Sequence, residues 1–282
     1  MADPKKIKAL AFDLDGTLLA PGTILSERAI RAVNGCMRRG LKIFIATGRG
    51  LESTEFFRAS LGAEGPMIYF NGALVVDMPG NKILNTTLVE KDVAEFCLNL
   101  SRETGVYYHA YFPASDQDPH CILMAEKDLP EREMYYKNTG MLSKLGDLSE
   151  ALCLYGSSGC IKVMFLGEPE VLDSIRILLE KRFGSSVYIV KSHQNYLEIL
   201  NKKVSKGWGL TLAMKHCSLK KEEVIAFGDE ENDLPMFSAA GFSVAPSNAK
   251  DNVKDAADLV IGSNTDDGVA AFLEEFFTFS SS

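Results

Sequence analysis

The stretch from Ile7 to Leu19, I-K-A-L-A-F-D-L-D-G-T-L-L, constrains this chain more than any other. Its apolar run, Leu10 to Phe12, has strand length and is too short for a stable isolated helix. It delivers Asp13 and Asp15 and then Gly16-Thr17. Strand residues alternate faces, so both carboxylates are expected to point the same way just past the last buried residue. Gly16 lets the backbone turn sharply there. Two carboxylates at the end of a buried strand are costly unless a cation offsets them. Mg²⁺, a hard cation that prefers oxygen ligands, suits such a pair. The alternative is an exposed loop with two solubilising acids; the strand before the pair and the Gly-Thr after it weigh against that.

Other strand ends add chemistry. Ser26 suits a helix N-cap, and Ala29, Ile30, Val33 and Met37 follow at helical spacing up to Gly40. Leu41 to Ala46 is then a second buried strand, which gives the βαβ pattern of a parallel sheet. In such sheets ligands sit beyond the carboxyl ends of the strands. Thr47-Gly48-Arg49 falls there, and its hydroxyl and backbone N–H groups can donate to a phosphate oxygen. A helix from Leu51 to Leu61 leads to a strand at Met67 to Phe70 and then to Asn71-Gly72, which reads as a hairpin turn. Further on, V-S-K-G-W-G-L starts a helix capped by Ser205, with Trp208, Leu210 and Met214 as its apolar stripe. Lys202 and Lys203 read as solvated charge. Val224 to Phe227 is another short strand, followed by Gly228-Asp229-Glu230-Glu231-Asn232-Asp233, where four acids in five residues would repel one another without a cation.

From Asn85 to Tyr188 the character changes to mixed helical and strand-like runs jointed by Asp, Pro and Gly, including Pro113 to Pro119 and Gly156 to Gly159. Helices are expected at Val89 to Thr104 and Pro169 to Phe183, and strands at Val106 to Tyr111, Cys121 to Ala125 and Cys160 to Leu166. The expected fold class is α/β: a Rossmann-like parallel-sheet core domain of residues 1–84 and 189–282, with an inserted α+β domain at 85–188. Phe242 to Ala245 and Ala257 to Ile261 complete the core, and Ser280 to Ser282 is expected to fray.

The four strand-end motifs, in this order, resemble those of the haloacid dehalogenase superfamily of phosphotransferases, and the Asn-Gly and the insert resemble its Cof-like subfamily. The resemblance covers the core and weakens in the insert, which in that subfamily is a cap that closes the site and selects substrate. It implies Asp13 as nucleophile and Asp15 as proton donor. Thr47 and Gly48 would bind the phosphoryl group, Lys206 would neutralise charge shared by Asp13 and the phosphate, and Asn71 and Asn232 would stand on the phosphate side. Asp13, Asp15, Asp229 and Asp233 would hold Mg²⁺, with Asp233 acting on a metal-bound water or on Lys206. Glu230 and Glu231 would face solvent. Pro246-Ser247 departs from the Met-Gly that many relatives carry before Asn248-Ala249, so Asn248 stays outside the set. The implied reaction is hydrolysis of a small phosphorylated metabolite, sugar phosphates foremost. A sugar phosphomutase, a dehalogenase (disfavoured by Asp15) and a non-catalytic regulator that binds a phosphometabolite are the alternatives.

The totals agree. A formal charge of −8 argues against nucleic acid and a basic membrane-surface role. Nothing approaches a membrane span, and Met-Ala-Asp-Pro-Lys-Lys runs into the first strand with no signal-peptide pattern. Six scattered cysteines and four scattered histidines suggest no disulfide frame or zinc site, which fits a reducing cytoplasm.

Overall fold

The structure, a computed structural model, describes residues 3–155 and 159–278. The readings made for 156–158 and 280–282 lie outside these residues. In chain order the elements begin with β1 (Ala9–Phe12), α1 (Glu27–Arg38), β2 (Lys42–Ile45), α2 (Leu51–Leu61), β3 (Gly65–Tyr69), β4 (Leu74–Met78) and β5 (Lys82–Thr86). The middle of the chain gives α3 (Lys91–Thr104), β6 (Tyr107–Pro113), β7 (Cys121–Ala125), α4 (Pro130–Thr139), β8 (Lys144–Leu145), α5 (Leu148–Leu154), β9 (Lys162–Leu166), α6 (Pro169–Phe183), β10 (Val187–His193) and β11 (Tyr196–Asn201). The last part gives α7 (Lys206–His216), β12 (Val224–Phe227), α8 (Leu234–Ala239), β13 (Phe242–Pro246), α9 (Asp251–Ala256), β14 (Leu259–Ile261) and α10 (Gly268–Phe276).

Two compact units result. The first comprises the chain up to Arg49, Thr54–Leu84 and the chain from Ser205 onward; the second comprises Gly50–Ser53 and Asn85–Val204. The first is an α/β unit whose five-stranded sheet runs β14-β13-β12-β1-β2, with every pair parallel. All four residues of β1 are buried, as expected of a strand covered on both faces. Phe12 lies opposite both Ile45 and Phe227, and its ring stacks on Phe227 at 4.7 Å. The chain leaves β1 on the β2 side and returns on the β12 side. The seam between β1 and β12 is therefore a topological switch point, where α/β sheets bind ligands. A three-stranded sheet, β3-β4-β5, follows in the chain, and its β3 and β4 are antiparallel; Tyr69 pairs with Leu74, so Asn71-Gly72 does turn a hairpin.

The second unit is a six-stranded sheet, β10-β11-β9-β6-β7-β8. One face packs Tyr108, Phe112, Val163, Phe165, Leu197 and Ile199 against apolar residues of the helices. The expected boundary at 188/189 moves, because β10 and β11 pair with each other and β11 pairs with β9 in this sheet. Helices α4 and α5 were not expected.

His109 is buried in this unit, and among the described residues neither ring nitrogen has a hydrogen-bond partner; the rings of Tyr107, Tyr111 and Tyr135 stand within 5.6 Å of it. Burial, and then the Lys162 charge, hold its pKa well below 6.5. As pH falls through about 6.5, the unfolded chain takes up this proton while the folded chain does not. The unit should lose stability at about 1.4 kcal/mol per pH unit below that point. In His109→Phe that share of the slope should vanish, read as the difference in urea midpoint, by circular dichroism, between about pH 7.5 and about pH 5.5. An unchanged slope would mean that His109 is protonated in the fold.

Candidate active site

The site lies where β1, β2 and β12 end. Asp13 is the first residue past β1, and its N–H donates to the Phe227 carbonyl at 2.9 Å. Asp229 is two residues past β12. Lys206 opens α7, whose N-cap Ser205 accepts from the Trp208 N–H at 3.0 Å. Gly207 lets the helix start approach this closely, since a Cβ there would lie 2.2 Å from the Pro235 carbonyl oxygen. Trp208, expected on the apolar stripe, is instead 42% exposed; α7 packs through Gly207, Gly209 and Leu210.

Lys206 is 2% exposed, and its ammonium donates to Asp13 Oδ1 at 2.6 Å and to Asp233 Oδ1 at 2.7 Å. The other oxygen of Asp233 accepts from the N–H groups of Asp229 and Glu230 at 2.9 and 3.0 Å. Thr17 donates to Asp229 Oδ1 at 2.7 Å. The electrostatics follow from desolvation and crowding. Burial pushes the Asp13 carboxyl well above the usual range; Lys206 opposes this, and Asp233 and Asp229 add to it. Burial also pushes Asp229 up to about 6, against the Thr17 hydrogen bond. Burial alone would lower the Lys206 pKa, but Asp13 and Asp233 outweigh it and raise it.

Asp13, Asp229 and Asp233 each offer an oxygen, and the three atoms lie within 4.8 Å of one another. Asp13 Oδ2 and Asp229 Oδ2 receive no hydrogen bond among the described residues. Buried carboxylates that outnumber their cation and keep free oxygens fit a hard divalent ion.

Asp15, expected on the same face and in the same metal set, lies elsewhere. The strand ends at Phe12, so its two-residue alternation no longer governs Asp15, and Gly16 turns with φ +82°. The Asp15 side chain is 50% exposed, and both its oxygens accept from Arg49, from Nε and Nη2, at 2.6 Å each.

The expected phosphate side is contiguous. Thr47 is buried; its hydroxyl accepts from the Arg49 N–H at 3.1 Å, and its carbonyl accepts from the Asn71 N–H at 2.9 Å. A Cβ on Gly48 would stand 3.4 Å from the Asn71 amide. Asn71 takes a left-handed φ of 56°, which asparagine tolerates better than most residues, and its Oδ1 accepts from Asn232 Nδ2 at 3.0 Å. Glu230 and Glu231 are exposed and pair with Lys250. Lys202 and Lys203 are exposed as expected.

Three residues escaped the sequence reading. Arg49 holds Asp15, and Thr17 holds Asp229. Asn248, set aside for its unusual neighbours, donates to the Gly16 carbonyl at 2.8 Å and accepts from the Asn264 N–H at 2.9 Å. The available signal was position: Thr17 lies in the first motif, Arg49 directly follows the second, and Asn248 follows a core strand.

This geometry has known counterparts. The sequence profile of the haloacid dehalogenase-like hydrolases matches residues 10–273, and the chain belongs to that family. Within it the chain falls in the Cof-like group and is a hydrolase of phosphate esters. A phosphatase candidate of Haemophilus influenzae is 32% identical, with 96% of this chain and 97% of that protein aligned. The 5-amino-6-(5-phospho-D-ribitylamino)uracil phosphatase of Bacillus subtilis is 29% identical, with 95% and 97% aligned. A crystal structure of a Thermotoga maritima protein superposes with a TM-score of 0.83 at 33% identity, covering 98% of both chains. No helix among the described residues is long and apolar enough to cross a membrane.

Proposed function

We propose that the chain is a Mg²⁺-dependent phosphatase of small phosphate monoesters, sugar phosphates foremost, acting through an aspartyl-phosphate on Asp13. The observation that carries this is the Lys206 ammonium 2.6 Å from Asp13 Oδ1. It leaves one carboxylate oxygen of a buried acid free beside a fixed positive charge.

Asp13 attacks phosphorus in line; the ester P–O bond breaks, its electron pair stays on the leaving oxygen, and Asp15 supplies that oxygen with a proton. Asp15, now a carboxylate, takes a proton from water as the water oxygen attacks the phosphorus and releases Asp13 and inorganic phosphate. Lys206 and the Thr47-Gly48 turn offset phosphoryl charge in both steps, with Asn71 and Asn232 beside them. Asp13 and Asp229 would hold Mg²⁺, with Asp233 behind them fixing Lys206; the ion would neutralise phosphoryl oxygens and offset the repulsion among the acids. The phosphoribityl substrate in the name of the Bacillus subtilis relative supports a polyhydroxylated ester. The six free thiols suit a reducing cytoplasm.

The test is phosphate release from sugar phosphates, nucleotides and cofactor phosphates, with Mg²⁺ or with EDTA. Release should be fastest from a sugar phosphate and fall by about two orders of magnitude or more in EDTA. Undiminished release in EDTA would overturn the metal requirement, and release from no compound would overturn the phosphatase reading.

A further inference from the structure

The three clustered acids are not all held in the same way. Asp13 and Asp233 share the Lys206 ammonium. The Asp229 carboxylate receives one hydrogen bond among the described residues, from the Thr17 hydroxyl at 2.7 Å. An ammonium cancels much of the charge of the oxygen it meets, whereas a hydroxyl orients a carboxylate and leaves its charge intact. Asp229 therefore keeps more of its charge for a divalent ion than Asp13 does, and its orientation depends on Thr17.

Thr17 can orient Asp229 because the turn that carries it is itself fixed. Thr17 is buried. Beside it, a Cβ on Gly16 would overlap Asp229 Oδ2, so the Gly16 backbone lies against the carboxylate and limits its rotation. The Gly16 carbonyl accepts from Asn248 Nδ2 at 2.8 Å, and Asn248 Oδ1 accepts from the Asn264 N–H at 2.9 Å. Asn264 Nδ2 donates in turn to the Leu19 carbonyl at 2.8 Å. Two residues beyond Asn248, the Lys250 N–H donates to the Asp229 carbonyl at 3.1 Å. The loop between β13 and α9 thus grips both partners, the Gly16-Thr17 turn and the Asp229 backbone.

We propose that Thr17 and Asn248 are positioning residues for the divalent ion: the Thr17 hydroxyl engages Asp229 Oδ1 and leaves Oδ2 for the ion, and Asn248 holds the turn that carries Thr17. This rests on the reading of Asp13 and Asp229 as metal ligands. A group that orients a metal ligand without touching the ion is worth about 10–100-fold in metal affinity. The exposed Asn248, far from the motif in sequence, thereby contributes to a buried ion site through the backbone of Gly16.

The experiment measures ion binding and involves no turnover. Mn²⁺, which takes the same oxygen ligands as Mg²⁺, is titrated into the full chain; its free-ion electron paramagnetic resonance signal is lost on binding and returns on competition with Mg²⁺. Thr17→Val keeps the shape of the side chain and loses the donor, and should raise the Kd for Mn²⁺ about tenfold or more. Thr17→Ser keeps the donor and loses a methyl group, and should stay within about threefold of the wild type. A role in packing alone would give the reverse order. Asn248→Ala, at an exposed position, should raise the Kd about threefold or more, and it serves as the test if the valine variant unfolds. Wild-type affinity in either the valine or the alanine variant, or a serine variant as weak as the valine one, would overturn the proposal. A wild-type protein that binds neither Mn²⁺ nor Mg²⁺ would instead overturn the metal reading on which it stands.

Discussion

Asp13→Asn is expected to lower phosphate release by about 10⁴-fold or more while leaving the fold intact. Asparagine keeps the shape of the side chain and removes the nucleophilic oxygen. Lys206 would still hold Asp233 at 2.7 Å, so no buried cation is stranded. The substitution also removes one of three acids whose oxygens lie within 4.8 Å. Burial already drives the Asp13 carboxyl well above its usual range, so a neutral amide relieves a strained charge. Thermal unfolding in EDTA should therefore come at the same temperature as in the wild type or higher. The two readouts separate mechanism from folding. Retained turnover would sink the aspartyl-phosphate route, and a large drop in unfolding temperature would mean that Asp13 is needed for the fold.

Lys206→Ala should have the opposite character, with stability and activity lost together. It leaves Asp13 and Asp233 in a buried site without the ammonium that bridges them. Removing one partner of a buried ion pair costs about 3–5 kcal/mol, because the remaining charge cannot be resolvated. The effect can be followed in the right unit, since the single tryptophan, Trp208, lies two residues further along α7. Its fluorescence should show a urea midpoint lowered in proportion, the loss being the midpoint shift multiplied by the slope of stability against urea. Lys206→Met, which keeps most of the buried stem volume, separates charge from packing: its loss should approach that of alanine. A loss below about 1 kcal/mol in both variants would mean that the two acids are neutral in the fold.

Much of this was legible because it is local. The apolar runs of β1, β2 and β12 and the residues that follow them lie within a few positions of each other, and the backbone carries that order directly into space. The Ser26 and Ser205 caps are local too: each closes on an N–H three residues on. Two things were not local. Strand membership depends on partners: β10 and β11 read like any apolar runs, and only pairing with β9 assigns them to the second unit. Side-chain direction beyond a strand end depends on the turn. Asp15 was placed by an alternation that stops at Phe12, and its actual partner, Arg49, is 34 residues away. Asn248 was discounted because of its neighbours, although its contacts are with Gly16 and Asn264.

The pairing of Phe12 with Phe227 bears on how the protein is made. As the ribosome extends the chain, β1 is produced early, but its neighbour β12 comes only after all of Asn85–Val204 has been translated. Until then the growing sheet has an open apolar edge, and Asp13 has neither Lys206 nor Asp229 beside it. Nearly all of the second unit is one continuous stretch whose strands pair mostly among themselves. It can therefore fold on the ribosome while the first unit waits for its final segment, from Ser205 onward, and that interval is when the newborn chain is most exposed to aggregation.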